Sequence, residues 1–228
     1  MWVLAMSIWR SVLRVAATVE NREVYRTLKQ NLANLNLVQS GSPSFEWRRT
    51  VGEVEVIVEL FVPVQGVAQG GKIQKKPIED GGSGLTALGI YGLEYIDRDV
   101  KIVEDEGPLL DDKGIKMVPL RICGPAVLLC LKAWALNDRT KSKDGYDVVW
   151  LLRAFTPKAL AVRFKELELL NCEFGAKALM FLEDNFKSHE HTGPRGWVIE
   201  SQFEGDDAVR EARQAAGVVE EFLRIVRS

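Results

Sequence analysis

Aspartate is missing from the start of this chain: none precedes Asp80, and the first acid of any kind is Glu20. No two aspartates can therefore share an early strand, which removes the simplest oxygen-ligand set for a hard divalent cation there. Histidine is scarce, with only His189 and His191, and cysteine stops at Cys123, Cys130 and Cys172. An odd cysteine number in apolar surroundings argues against a disulfide framework and fits buried thiols in the cytoplasm. An excess of one charge is also absent. Lys and Arg number 30 against 32 Asp and Glu, a net charge of −2, so there is no global pull toward nucleic acid or an anionic membrane. Any polyanion site must be a local patch.

Long apolar runs are lacking as well. No segment approaches the roughly 18 apolar residues that a bilayer requires. The opening MWVLAMSIWRSVLRVAA has no basic residue before its short apolar run, and Arg10 and Arg14 break up the rest of it, so it does not read as a secretory signal. There are no repeats and no low-complexity tract. What remains, in 228 residues that are 46% hydrophobic and 27% charged, is the composition of an ordinary globular protein.

Periodicity places the elements. NREVYRTLKQNLANLNL, Asn21 to Leu37, puts Val24, Leu28, Leu32 and Leu35 on one helical face, with Asn21 as N-cap. FEWRRTV and EVEVIVELFVP alternate with period two and predict a hairpin about Gly52. Gly66 to Gly84 is rich in Gly, Lys and Gln and reads as an exposed loop, since its glycines match neither a P-loop nor a dinucleotide fingerprint. LTALGIYGLEYI reads as a helix weakened by two glycines, while DVKIVED and IKMVPLRI read as strands. Pro125 then opens an apolar helix at a position where its missing N–H costs nothing. YDVVWLLRAF, KALAVRFKELELL, GAKALMFLEDNF and the long C-terminal segment continue as helices.

The expectation is an α+β protein: a small mixed or antiparallel sheet with covering helices over residues 1–122, then a helical part over 123–228.

Chemistry concentrates at the second helix pair. Lys132 is the only charge between Pro125 and Leu136, in a helix apolar nearly all round. An unpaired ammonium is costly to bury, so Lys132 must reach solvent by snorkelling, find a carboxylate or meet an anion. Next comes RTKSKDGYDVVWLL, in which Arg139, Lys141 and Lys143 precede Asp144 and Asp147. With a helix starting at Tyr146, Asp144 lies near its N-cap and Asp147 in its first turn, where the unpaired N–H groups favour negative charge. The cations do not, because the helix dipole disfavours them there; a basic loop beside a positive helix end suits an anion. His189 and His191, in KSHEHTGPRGW, form an H-x-H pair within what reads as a surface loop between helices.

The run Gly124 to Leu152, GPAVLLCLKAWALNDRTKSKDGYDVVWLL, resembles the C-terminal signature of the AbiEii-like nucleotidyltransferases, a family of the polymerase-beta-type superfamily that includes toxins of bacterial toxin-antitoxin systems. There an apolar helix carries a lysine, a basic turn comes after it, and KD-x-YD opens the next helix. Lys132, Arg139, Lys143, Asp144, Tyr146 and Asp147 fall on those positions. Gly145 stands where the family has a larger apolar residue.

The resemblance implies transfer of NMP from an NTP to an RNA or protein acceptor, with Mg2+ as cofactor and an antitoxin as a further partner. Lys132, Asp144 and Asp147 would be the catalytic residues. Arg139 and Lys143 would hold phosphate, neutralising charge as the bond to pyrophosphate breaks. Glu59 in VIVELFVP sits at the third metal acid, sharing a strand face with Glu55, although an alternating strand also produces a solvated acidic face. The family's upstream GG[ST] turn and its two strand aspartates have no counterpart. SIWRSVLRVAA occupies their place with Arg10 and Ser11, so the chain is expected to be truncated or a degenerate member. The alternative implied function is a scaffold that binds nucleotide, RNA or an antitoxin without chemistry.

Overall fold

A computed structural model describes residues 2–9, 12–18, 22–41, 45–66, 70–71, 73–76, 85–108 and 114–228. Arg10, Ser11, Glu20, Asn21 and most of the glycine-rich tract lie outside the described residues. The chain is α+β and divides into two compact units, Met1–Cys123 and Gly124–Ser228.

The first unit is built on a mixed sheet. Its strands are β1 (Trp2–Trp9), β2 (Val12–Thr18), β3 (Val38–Gln39), β4 (Glu46–Val51), β5 (Val54–Pro63), β6 (Ile73–Lys76), β7 (Leu85–Ile90), β8 (Val100–Pro108) and β9 (Ile115–Cys123). The order β3-β4-β5-β2-β1-β9-β8 is joined by β7, which pairs with both β5 and β6. Among the described residues this mixed sheet has nine strands.

The β4–β5 hairpin turns at Gly52, whose φ of 59° admits the tight connection that pairs Val51 with Val54. Helix α1 (Arg22–Asn34) covers one sheet face. Leu32 and Leu37 are buried with Trp47, Leu60, Val62 and Ala87, and Leu28 packs at the margin. Leu35, expected on this face, lies past the helix end and is exposed.

Two local expectations are corrected by the structure. LTALGIYGLEYI is not one helix but strand β7 followed by a 3-10 turn, Leu93–Arg98. The left-handed Gly92 (φ 85°) separates them, and parallel pairing of Leu88–Ile90 with Phe61–Pro63 holds the strand. The glycine-rich tract also contains β6, antiparallel to β7.

The second unit is helical: α2 (Pro125–Arg139), α3 (Ser142–Phe155), α4 (Pro157–Glu166), α5 (Glu173–Asn185), α6 (Thr192–Ser201) and α7 (Gly205–Arg227), with a 3-10 turn at Leu169–Asn171. Its core includes Leu129, Leu136, Leu152, Leu160, Phe164, Phe174 and Phe222, each fully buried. Helix α6 replaces the loop expected around the histidines: His191 is its N-cap, and Arg195 N–H donates to the His191 carbonyl. Among the described residues no helix is long and apolar enough to cross a membrane.

Candidate functional site: a charged cluster between two helices

Helix α2 is apolar around most of its circumference, so its single interior charge has few places to go. Arg139 lies in its last turn, where a cation complements the carbonyl end of the helix. The left-handed Thr140 (φ 47°) then closes α2, and α3 begins at once, with Lys141 as N-cap. Helix α3 therefore starts at Ser142, four residues before the expected Tyr146. Asp144 lies within its first turn and Asp147 beyond it, so capping accounts for Asp144 at most.

These residues converge. Lys132 Nζ lies 2.6 Å from Asp147 Oδ2 and 3.8 Å from Asp144 Oδ1. Arg139 donates twice to Asp144, from Nε to Oδ2 at 2.7 Å and from Nη2 to Oδ1 at 2.8 Å. That fork is the strong bidentate geometry of a guanidinium on a carboxylate. Asp144 is wholly buried, Lys132 and Asp147 are largely buried, and Arg139 is 48% exposed. Lys132 thus bridges two acids on the facing helix rather than snorkelling to solvent. A buried carboxylate held by two cations avoids the penalty an isolated charge would incur.

The other sequence candidates go elsewhere. Lys143 is half-buried beside Asp144 in the same turn. Tyr146 stacks on Trp197 of α6, ring centroids 5.0 Å apart, so it packs α3 onto α6. Gly145 has a reason in this packing: a Cβ there would lie 2.6 Å from the Gly193 carbonyl oxygen. A larger residue there would not fit against α6. Trp197 is fixed in turn by Arg153, whose guanidinium carbon lies 4.6 Å above its ring, and by Glu211, which accepts from Nε1 at 3.2 Å.

Glu59 belongs to the first unit, half-buried on β5. Its register neighbours are Ala16 on β2 and Glu46 on β4. Glu46 is engaged by Arg48 at 2.7 Å, with Arg48 also reaching Glu55 at 3.1 Å. Mg2+ wants several unengaged carboxylate or carbonyl oxygens, and this donor set does not fit it. Among the described residues no group of three His, Cys, Asp or Glu could hold a metal. The H-x-H pair is no exception: His191 Nδ1 sits 2.8 Å from Ser188 Oγ.

Sequence reasoning missed an open groove along α6, lined by Thr140, Ser142, His191, Thr192, Arg195 and Ile199. Ser142 Oγ donates to Glu200 at its rim. The Gly-Pro-Arg-Gly composition, which reads as a loop, conceals it.

No family model matches the chain, and neither a curated protein nor a solved structure does.

Proposed function

We propose that this chain is an AbiEii-like nucleotidyltransferase whose helical unit binds the phosphates of an NTP for transfer of NMP to an RNA or protein acceptor. The observation that supports this most is the bridge of Lys132 to Asp147 and Asp144, with Arg139 forked onto Asp144. Charges of both signs brought together at a helix junction cost more than an apolar contact of similar shape, and such convergence is common where phosphate chemistry is done. In this reading Lys132 and Arg139 touch the phosphates. Asp147 aims the lysine and Asp144 aims the arginine, so both acids are positioning residues. The three cysteines are free thiols, which supports a cytoplasmic setting.

The test is label transfer from an α-labelled NTP to a mixture of RNA and protein acceptors in magnesium buffer. Incorporation by the wild-type chain and its loss in Lys132→Met support the reading; no incorporation with any NTP overturns the transferase part of it.

A second reading, a nucleotide-binding scaffold without turnover, is favoured by one observation: Glu59 has Ala16 and an arginine-paired Glu46 as its register neighbours. It requires NTP binding that weakens with salt and in Arg139→Ala or Lys143→Ala, with no label transfer.

A further inference from the structure

Strands β8 and β9 pair along nine residue positions, from Val100↔Cys123 to Pro108↔Ile115. They join the rest of the sheet at their base, where Val3 on β1 pairs with Ile122. Beyond that base the hairpin is an arm exposed on both faces: residues 101–106 and 114–119 are all exposed. Yet the arm is not polar. Ile102 and Ile115 are 69% and 71% exposed, and Val103, Met117 and Val118 are exposed with them. The register puts Ile102, Met117 and Ile115 on one face of the ribbon and Val103 and Val118 on the other. A solvated two-stranded ribbon has little independent stability, and apolar residues exposed on both of its faces suit a surface that binds.

The arm also presents a bare edge. β8 ends the strand order, so one side of its backbone has no ladder partner among the described residues. Glu104, Asp105 and Glu106 are consecutive along it, and the residues opposite them on β9 are Pro119, Val118 and Met117. The arm's own second strand therefore places no cation across from this acidic run. Pro119 removes a donor from β9 and blunts that strand's outer edge, as proline does on edge strands, whereas the proline of β8, Pro108, lies at the last position of its ladder and leaves the N–H groups of Val100–Gly107 in place. A second copy adding through its own β8 would set two acidic runs against each other, which like charges disfavour.

We propose that β8 is a strand-addition site for an extended segment of another protein in which Lys or Arg alternates with apolar side chains. Backbone hydrogen bonds to the free edge give affinity. Glu104 and Glu106 share one face of β8, where the cations meet them, and the apolar residues lie on the other face, beside Val103. This surface lies in the first unit and is independent of the nucleotidyltransferase reading.

The experiment uses the full chain and two synthetic peptides of nine residues, the length of β8, one alternating Lys with Val and one alternating Glu with Val. Amide hydrogen exchange across Val100–Pro108 is followed with each. The Lys-Val peptide is expected to slow exchange there by roughly tenfold or more, as amides enter a ladder, while the Glu-Val peptide has no effect. The double variant Glu104→Lys/Glu106→Lys, with an unchanged melting curve, is expected to lose the effect; if it does not fold, the two-peptide comparison on the wild-type chain decides. Equal slowing by both peptides, slowing by neither, or protection of β8 that grows with protein concentration alone overturns the proposal.

Discussion

Arg139 holds Asp144 through two hydrogen bonds of 2.7 and 2.8 Å although the carboxylate is wholly buried and the guanidinium is half exposed. The asymmetry decides what each partner's removal does. Arg139→Ala leaves a buried carboxylate with Lys132 as its nearest remaining cation, 3.8 Å away. It should cost about 3 kcal/mol, because the uncompensated charge stays inside. Lys132→Met leaves the Arg139 fork intact but strips the largely buried Asp147 of its partner at 2.6 Å, and should cost about 2 kcal/mol. Urea denaturation of both variants checks the order, and equal losses would mean that the fork does not neutralise Asp144.

Two glycines in helices should respond to alanine in opposite directions. Gly145→Ala gains helix propensity but drives a Cβ into the Gly193 backbone at 2.6 Å, so a net loss of about 1–3 kcal/mol is expected. Gly217, exposed in α7 with nothing near its would-be Cβ, should gain about 0.5–1 kcal/mol on the same change. Thermal melts of the two variants suffice.

The cysteines should separate by reactivity. Burial, with the nearby Asp99 carboxylate adding to it, pushes the Cys123 thiol well above its usual range, and Cys130 is buried too. Cys172 is half-buried, its Sγ donating to the Leu169 carbonyl. In native protein at pH 8 a thiol reagent should modify Cys172 first, with Cys123 and Cys130 reacting only on unfolding. Because the folded pKa of Cys123 is raised, its thiol stays protonated in the fold where the unfolded chain ionises. Its contribution is therefore fully present below the unfolded thiol pKa and lost as pH rises above it. Cys123→Ala should flatten the alkaline limb of the stability–pH curve.

Glu183 carries the acid counterpart. Its hydrogen bond from Arg227, 2.7 Å at the closest, holds the carboxyl below the ordinary range. A depressed folded pKa stabilises above the unfolded value, and the effect disappears as pH falls through the folded one. Arg227→Gln should therefore lower stability at pH 7 and leave it unchanged near pH 2, as two denaturation series would show. Glu183 is exposed, so salt should erase most of the difference.

The charged cluster is legible in the sequence because one lysine in an apolar helix must find a counter-charge, and Asp144 and Asp147 follow within the opening turns of the next helix. The start of α3 is not. Lys141 and Ser142 are poor signals for a helix, and only the closure of α2 at left-handed Thr140 fixes where α3 begins. Helix α6 escapes for a related reason: Gly193 and Gly196 read as loop residues, whereas they let α6 approach α3 so closely that a Cβ on Gly196 would strike the Ser142 carbonyl. β7 reads as a helix because its pairing with β5 and β6 is non-local and leaves no local period. The strand alternation around Glu59 is visible, but its register neighbours Ala16 and Glu46 come from pairings that no local pattern specifies.

The central claim is that Lys132 and Arg139, aimed by Asp147 and Asp144, hold phosphate. The most direct measurement is titration calorimetry of an NTP against the wild-type chain and Lys132→Met at two salt concentrations, with melting curves confirming that the variant is folded. The account predicts measurable wild-type affinity that falls with salt, and a loss of about tenfold or more in the variant, the scale of one charge-assisted contact. A folded Lys132→Met chain that binds NTP as tightly as wild type, or a wild-type chain that binds none, would contradict it.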